Sequence, residues 1–203
     1  MERDNKVKLK LNFFSNIMKE LVIVSNNINK IKEYQTKLKK LKLISYKQLV
    51  KLNIAETGKT FKENALKKAK TISQLTNKAC LGDDSGLIVE ALPNQLGVFS
   101  KRFSKNQTTK DNNELLLKKL LDIKNRKAKF ITFICLCVPG NKPRFYHGEL
   151  NGEILRNPQG NNGFGYDPLF YIPSKEKTLA ELNLNEKNEL SHRGKAIDKL
   201  LKD

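Results

Sequence analysis

Apolar positions change their period along this chain, and each change predicts an element. Leu21 to Ser25 form an unbroken β-rich run, as expected for a strand buried on both faces. From Asn27 the period lengthens. Ile28, Ile31, Leu38 and Leu41 recur at helical spacing with lysines between, so the strand passes straight into an amphipathic helix through Ser25, Asn26 and Asn27. Thr60 with Glu63 reads as a capping box, after which Phe61, Ala65, Ala69 and Ile72 mark the buried face of a second helix. ACLG and GLIVEAL read as strands on either side of Asp83 and Asp84, and residues 115–121 suggest another helix. AKFITFICLCV is apolar at both parities, which makes it a central strand. The turn PGNKP leads to RFYHGEL and NGEIL, two neighbouring antiparallel strands. Thr178 with Glu181 forms a second capping box, and Ile197, Leu200 and Leu201 close the chain on a helix. There is no internal repeat and no interdomain linker, so the pattern predicts one mixed α/β domain with function in the loops between strands and helices.

Composition changes this picture little. The 203 residues carry 39 Lys and Arg against 21 Asp and Glu, a formal charge of +18 that invites a nucleic-acid reading. Arginine, however, stands at only six positions, and the lysine excess is spread over nearly every segment, whereas a binding stripe concentrates Arg and aromatics. No specific nucleic-acid binding is therefore expected. Cys80, Cys135 and Cys137 sit in apolar runs as reduced, buried thiols, and two histidines are too few to complete a zinc set around them. No apolar run is long enough to span a bilayer, and residues 1–20 lack the apolar centre of a signal peptide, so a cytoplasmic protein without a membrane partner is expected.

Four stretches carry candidate chemistry. Asp83 and Asp84 in GDDSG are either a turn, since every neighbour is a turn former, or a metal or acid/base site, since adjacent carboxylates repel unless they share a cation or proton. Glu56, in the loop before the second helix, offers a third hard oxygen ligand suited to magnesium. SNNINK delivers small polar residues and Lys30 to a helix N-terminus, which is either an anion seat or an ordinary cap with a solvated lysine. In GNNGFGYDPLF, glycines let the backbone approach something flat, Phe164 and Tyr166 offer stacking faces and Asp167 an acceptor; the alternative is a tight aromatic turn. EKNELSHRG gathers Lys187, His192 and Arg193 within two helical turns.

Taken in order, SNNINK, ETGKTFKENA, GDDSGL, GNNGFGYDPLF and EKNELSHRG closely resemble the inosine triphosphate pyrophosphatase family, hydrolases of non-standard purine nucleoside triphosphates such as ITP, dITP and XTP. The resemblance covers residues 18–203, which leaves residues 1–17 as an N-terminal extension and Met18 as a candidate start. It implies an elongated α/β fold of two lobes around a central mixed sheet, an active-site cleft between the lobes, a homodimer and Mg2+ as cofactor. Matched position by position, Ser25, Asn26, Asn27, Ile28, Asn29 and Lys30 correspond to the segment that holds substrate. Glu56 and Asp84 correspond to metal-binding positions, with Asp83 beside them, and Asp84 also to the catalytic proton acceptor. Ser85 and Lys187 correspond to substrate contacts, Phe164, Gly165, Tyr166 and Asp167 to the nucleoside loop, and His192 with Arg193 to the pair beside the base. The chain departs from the family pattern at Asn26, Asn29, Leu96 and Phe103, where glycine, glycine, proline and tyrosine are usual. The implied reaction releases the monophosphate and pyrophosphate. A pocket of protein donors would accept the 6-oxygen of hypoxanthine or xanthine and leave the amino group of adenine facing donors.

Overall fold

The structure, a computed structural model, describes residues 18–203; the extension expected at residues 1–17 lies outside the described residues. The run at Leu21 becomes β1 (Glu20–Val24), whose last four residues are buried. It leads through Ser25 and Asn26 to α1 (Ile28–Lys37), capped by the Asn27 side chain, which accepts from the amides of Asn29 and Lys30. β2 (Lys42–Ser45) and α2 (Phe61–Thr76) follow, then β3 (Cys80–Val89), α3 (Thr109–Lys119), β4 (Lys127–Cys137) and β5 (Arg144–Ile154). β6 (Phe170–Ile172), β7 (Lys177–Thr178), α4 (Leu184–Leu190) and α5 (His192–Leu201) complete the chain.

One seven-stranded mixed sheet results, in the order β2-β1-β3-β4-β5-β6-β7. β1 is parallel to both β2 and β3, and every other pair is antiparallel. The chain thus leaves β1 to one side through α1 and returns on its other side through α2, a switch of direction at the carboxyl end of β1, where α/β sheets open a crevice. β4 is the central strand that its apolar run predicted. α2 packs on one face of β3 and β4, with Ala65 and Ala69 beside Cys135 and Cys137. On another side, α1 and α5 meet the sheet through Tyr34, Leu38, Ile197 and Leu200 against Leu21, Leu81 and Ile134.

Several expectations are corrected. GDDSG is not a turn: it lies inside β3, where Asp83 and Asp84 are paired with Ile134 and Phe133 of β4. Ladder hydrogen bonds outweigh the local turn preference of these residues. The flanking glycines serve close packing instead, because a Cβ on Gly82 would overlap the carbonyl of Ala65 on α2 and one on Gly86 the carbonyl of Gly97. RFYHGEL and NGEIL are one strand, β5, paired continuously with β4 from Arg144 to Glu153. α1 ends at Lys37, so Leu38 is its C-cap and Leu41 lies beyond it, while Ile28 is exposed. The box at Thr60 is half formed. Its hydroxyl accepts from the Glu63 amide, but Glu63 reaches back to the amide of Lys59. The box at Thr178 caps a single 3-10 turn, Leu179–Glu181, rather than a helix. Residues 115–121 are the end of α3, which stops at Lys119 and leaves Leu121 exposed.

Candidate active site

Strand alternation decides what the paired aspartates do. Successive side chains on a strand point to opposite faces, and Asp83 and Asp84 accordingly meet different helices. Asp84 faces α2, where its Oδ2 accepts from Asn64 Nδ2 at 2.9 Å and its Oδ1 lies 3.5 Å from the Lys68 ammonium. Lys68 also pairs with Glu56 and donates to the Asp83 carbonyl at 2.7 Å. Asp83 faces α1 and α5. Its Oδ2 accepts from Tyr34 Oη at 2.8 Å and Arg193 Nε at 2.7 Å, and its Oδ1 from Lys30 Nζ at 2.5 Å. No cation has to be shared between the two carboxylates, because each has its own.

The two environments drive the carboxyls apart. Burial pushes Asp84 above the usual carboxylate range, reinforced by Glu56 and only partly offset by Lys68. Burial would also raise Asp83, but the charges of Arg193 and Lys30 overcome it and hold that carboxyl well below the usual range. Glu56 is likewise lowered against its burial, chiefly by Lys68. Consecutive carboxyls thus differ: Asp84 is harder to ionise than usual, while Asp83 is held in its charged form.

β1 stops at Val24, opposite Gly82, while β3 runs on to Val89. Past that point a cleft of about 520 Å3 opens, reached by residues from both faces of β3. Its lining includes Ser25, Asn26, Asn27, Asn29 and Lys30 from the end of β1 and the start of α1, with Glu56, Lys68, Asp84 and Ser85. Phe130, Phe164, Gly165, Tyr166, Asp167, His192 and Arg193 line it as well, Arg193 lying against Ser85 at 2.8 Å. Of the positions matched from the sequence, Ile28, Asp83 and Lys187 do not line the cleft. Ile28 points to solvent, Asp83 has both oxygens taken, and Lys187 is buried between Asp167 and Glu33 at 2.7 and 2.8 Å.

The lining side chains are less free than the motifs suggested. Asn27 fills the helix start with its own side chain, Asn26 accepts from Tyr46 Oη at 2.8 Å, and Lys30 is held by Asp83. Arg193 is fully buried, donating to Asp83, Glu33 and Ser85. It orients the strand residues rather than presenting a free fork. Asp167 Oδ2 accepts from Phe164 N and Lys187 Nζ, both at 2.7 Å, so it closes its own loop; Gly163 at φ +77° leaves room for that carboxylate. Tyr166 ties the same loop to the turn Gly97–Arg102 by donating to the Ser100 carbonyl at 2.7 Å. His192 stacks on Phe130 with ring centroids 4.8 Å apart, and its buried Nδ1 has no hydrogen-bond partner. Burial, with Arg193 and Lys187 nearby, pushes this imidazole well below its ordinary range and keeps it neutral.

Sequence reasoning missed Asn64, Lys68, Phe130, Glu33 and Tyr34. A signal existed for the first two, since Asn64 and Lys68 fall on the same helical stripe as Phe61, Ala65, Ala69 and Ile72. Polar groups on an apolar stripe ask for buried partners, here Asp84 and Glu56.

A hard cation fits beside Glu56 and Asp84. Among the described residues no three acidic, His or Cys side chains form a ready-made cluster. Glu56 and Asp84 nonetheless share the Lys68 ammonium, with Arg102 Nη1 3.4 Å from the other Glu56 oxygen, and such a carboxylate pair suits an ion that takes its remaining ligands from water and phosphate, as magnesium does.

The chain also resembles known proteins over most of its length. The chain is 39% identical over 188 residues to a dITP/XTP pyrophosphatase of Staphylococcus epidermidis, covering 92% of this chain and 96% of the relative. It is 44% identical over 192 residues to the dITP/XTP pyrophosphatase of Geobacter sulfurreducens, with the same coverage of 92% and 96%. Among solved structures, the Staphylococcus aureus Ham1 protein superposes with a TM-score of 0.82 at 38% identity, over 90% of this chain and 96% of that one. A HAM1 protein from Coxiella burnetii superposes at 0.83 with 42% identity, over 91% and 97%. The family model described as Ham1 family matches residues 21–203, and the chain belongs to the Ham1 family.

Proposed function

We propose that this chain hydrolyses non-standard purine nucleoside triphosphates, ITP, dITP and XTP, to the monophosphate and pyrophosphate. The observation that carries the reading is that one cleft is lined by two chemical sets: the carboxylates of Glu56 and Asp84 with Lys30 at a helix start, and the rings of Phe130, Phe164, Tyr166 and His192. A polyphosphate belongs to the first and a purine to the second. Relatives named dITP/XTP pyrophosphatase support the same assignment.

Glu56 and Asp84 would hold Mg2+. Bound there, magnesium would supply charge neutralisation for the polyphosphate. Asp83 is better suited to holding Lys30 and Arg193 in place than to binding metal. Asp84, with Oδ2 fixed by Asn64 and its side chain at the cleft, is placed to orient the attacking water and take its proton. Lys30, at the cleft wall, can leave Asp83 for the departing pyrophosphate. The base stacks near Phe164 and Phe130, with the neutral His192 beside it. A 6-oxo purine is accepted there by donors that leave the adenine amino group unpaired. The protein acts in the cytoplasm as a homodimer, with nucleotides rather than nucleic acid as its partners.

Pyrophosphate release measured across ITP, XTP, GTP, ATP and dUTP, with and without Mg2+, tests the reading. Turnover confined to ITP and XTP and dependent on the ion is expected. Equal rates on ATP or dUTP would defeat it.

A further inference from the structure

An alternating row of buried charges runs behind the cleft wall. Lys30 Nζ meets Asp83 Oδ1 at 2.5 Å, and Asp83 Oδ2 accepts from Arg193 Nε at 2.7 Å. Arg193 Nη1 reaches Glu33 Oε2 at 2.5 Å, Glu33 Oε1 lies 2.8 Å from Lys187 Nζ, and Lys187 is 2.7 Å from Asp167 Oδ2. The row ends on the Phe164 amide, which also donates to Asp167. Three cations alternate with three carboxylates, so every interior charge has an opposite charge on each side.

Glu33 is the middle link of this row. It is 1% exposed and does not line the cleft, so it cannot touch a substrate seated there. Burying a carboxylate costs several kcal/mol of desolvation, and an apolar side chain on this face of α1 would pack at lower cost if packing were all that mattered. What the carboxylate does is hold two cations with its two oxygens, one toward each end of the row. One end is the start of α1, where Lys30 can rest on Asp83 or on an anion. The other is the Phe164–Asp167 loop.

We propose that Glu33 is a positioning residue that couples the nucleoside end of the cleft to its phosphate end. The proposal rests on the function proposed above for those two ends. A base seated against Phe164 fixes the loop and with it the grip of Asp167 on Lys187. Glu33 then shifts its share of charge toward Arg193, and Arg193 in turn weakens or strengthens the hold of Asp83 on Lys30. Seating of the base is thereby transmitted to the ammonium that meets the polyphosphate.

Calorimetric titration with inosine and with pyrophosphate, each alone and each in the presence of the other at constant Mg2+, tests this directly. In the unaltered protein, saturating inosine should tighten pyrophosphate binding about tenfold, within the usual range of coupling between sites. In Glu33→Gln the coupling should fall to about twofold or less, whatever the affinity of each ligand alone. A role in stability alone would instead weaken both ligands and leave their coupling, and that result overturns the proposal, as does full coupling in the variant. If inosine and pyrophosphate do not bind the unaltered protein, the proposed function fails and this proposal with it. If they bind without influencing each other, the function stands and only the coupling is lost. Should Glu33→Gln fail to fold, the same question is answered with Glu33 in place. Lys30→Met and Phe164→Ala should then combine non-additively in kcat/KM for ITP by about fivefold or more, and additive effects overturn the proposal.

Discussion

At the scale of single residues, the consequential fact is that neighbours in the chain are not neighbours in chemistry. Asp83 and Asp84 read as a pair in the sequence, yet one is bound by Tyr34, Lys30 and Arg193 while the other faces Asn64 and Lys68. Asp84→Asn keeps the shape and the contact with Asn64 but removes the charge and the proposed proton acceptor. Its turnover of ITP should fall by about three orders of magnitude, with nucleotide binding surviving in equilibrium titrations. Turnover near that of the unaltered protein would refute the assignment. The identity of most lining residues was legible in the motifs. Their state was not: Lys30, Asp167, Lys187 and Arg193 all look like free recognition groups in one dimension, and each is committed to a partner distant in the chain.

At the scale of elements, glycines set how closely helices approach the sheet. Gly148 on β5 faces α5, and a Cβ there would overlap the carbonyl of His192 and press on Lys195 and Ala196. Gly148→Ala should push the start of α5 outward, costing about 1–3 kcal/mol of stability in urea unfolding and raising KM for ITP through displacement of His192. An unchanged KM would mean that the seating of α5 does not position the imidazole. Helix and strand types were legible because the apolar period switches between 3.6 and 2, but boundaries were not. β3 passes through residues whose local preference is for a turn, and continuous pairing with β4 overrides it, since β1 reaches no further than Gly82.

At the scale of the whole molecule, stability and extent can be tested. Burial keeps His192 neutral in the fold, below its ordinary value of 6.5, whereas the unfolded chain takes up a proton there. The unfolded state then binds more protons, so stability contributed by the neutral imidazole is complete above about pH 6.5 and is lost as pH falls below it, by at most about 1.4 kcal/mol per unit. His192→Phe, which keeps a ring against Phe130, should flatten this slope between pH 6.5 and 5 in denaturant unfolding; an equal slope in both proteins would count against a neutral His192. We further propose that a chain beginning at Met18 folds and hydrolyses ITP like the full chain, since every proposed ligand lies after β1 begins. A large loss of activity or of Tm on removing residues 1–17 would show that the extension belongs to the domain.

The sequence by itself determined the α/β class, the central position of β4 and the set of stretches that meet at the cleft, because hydrophobic period and short motifs are local properties that survive without a fold. Tertiary structure alone decided which face each side chain takes and which charge it meets. Glu33 joins Lys187 and Arg193, each more than 150 positions away in the chain. Lys68 joins Glu56 to Asp84 across a helix and a strand. Charge pairing is a matter of distances of a few ångström and of shelter from water, and neither is written in the spacing of residues along a chain.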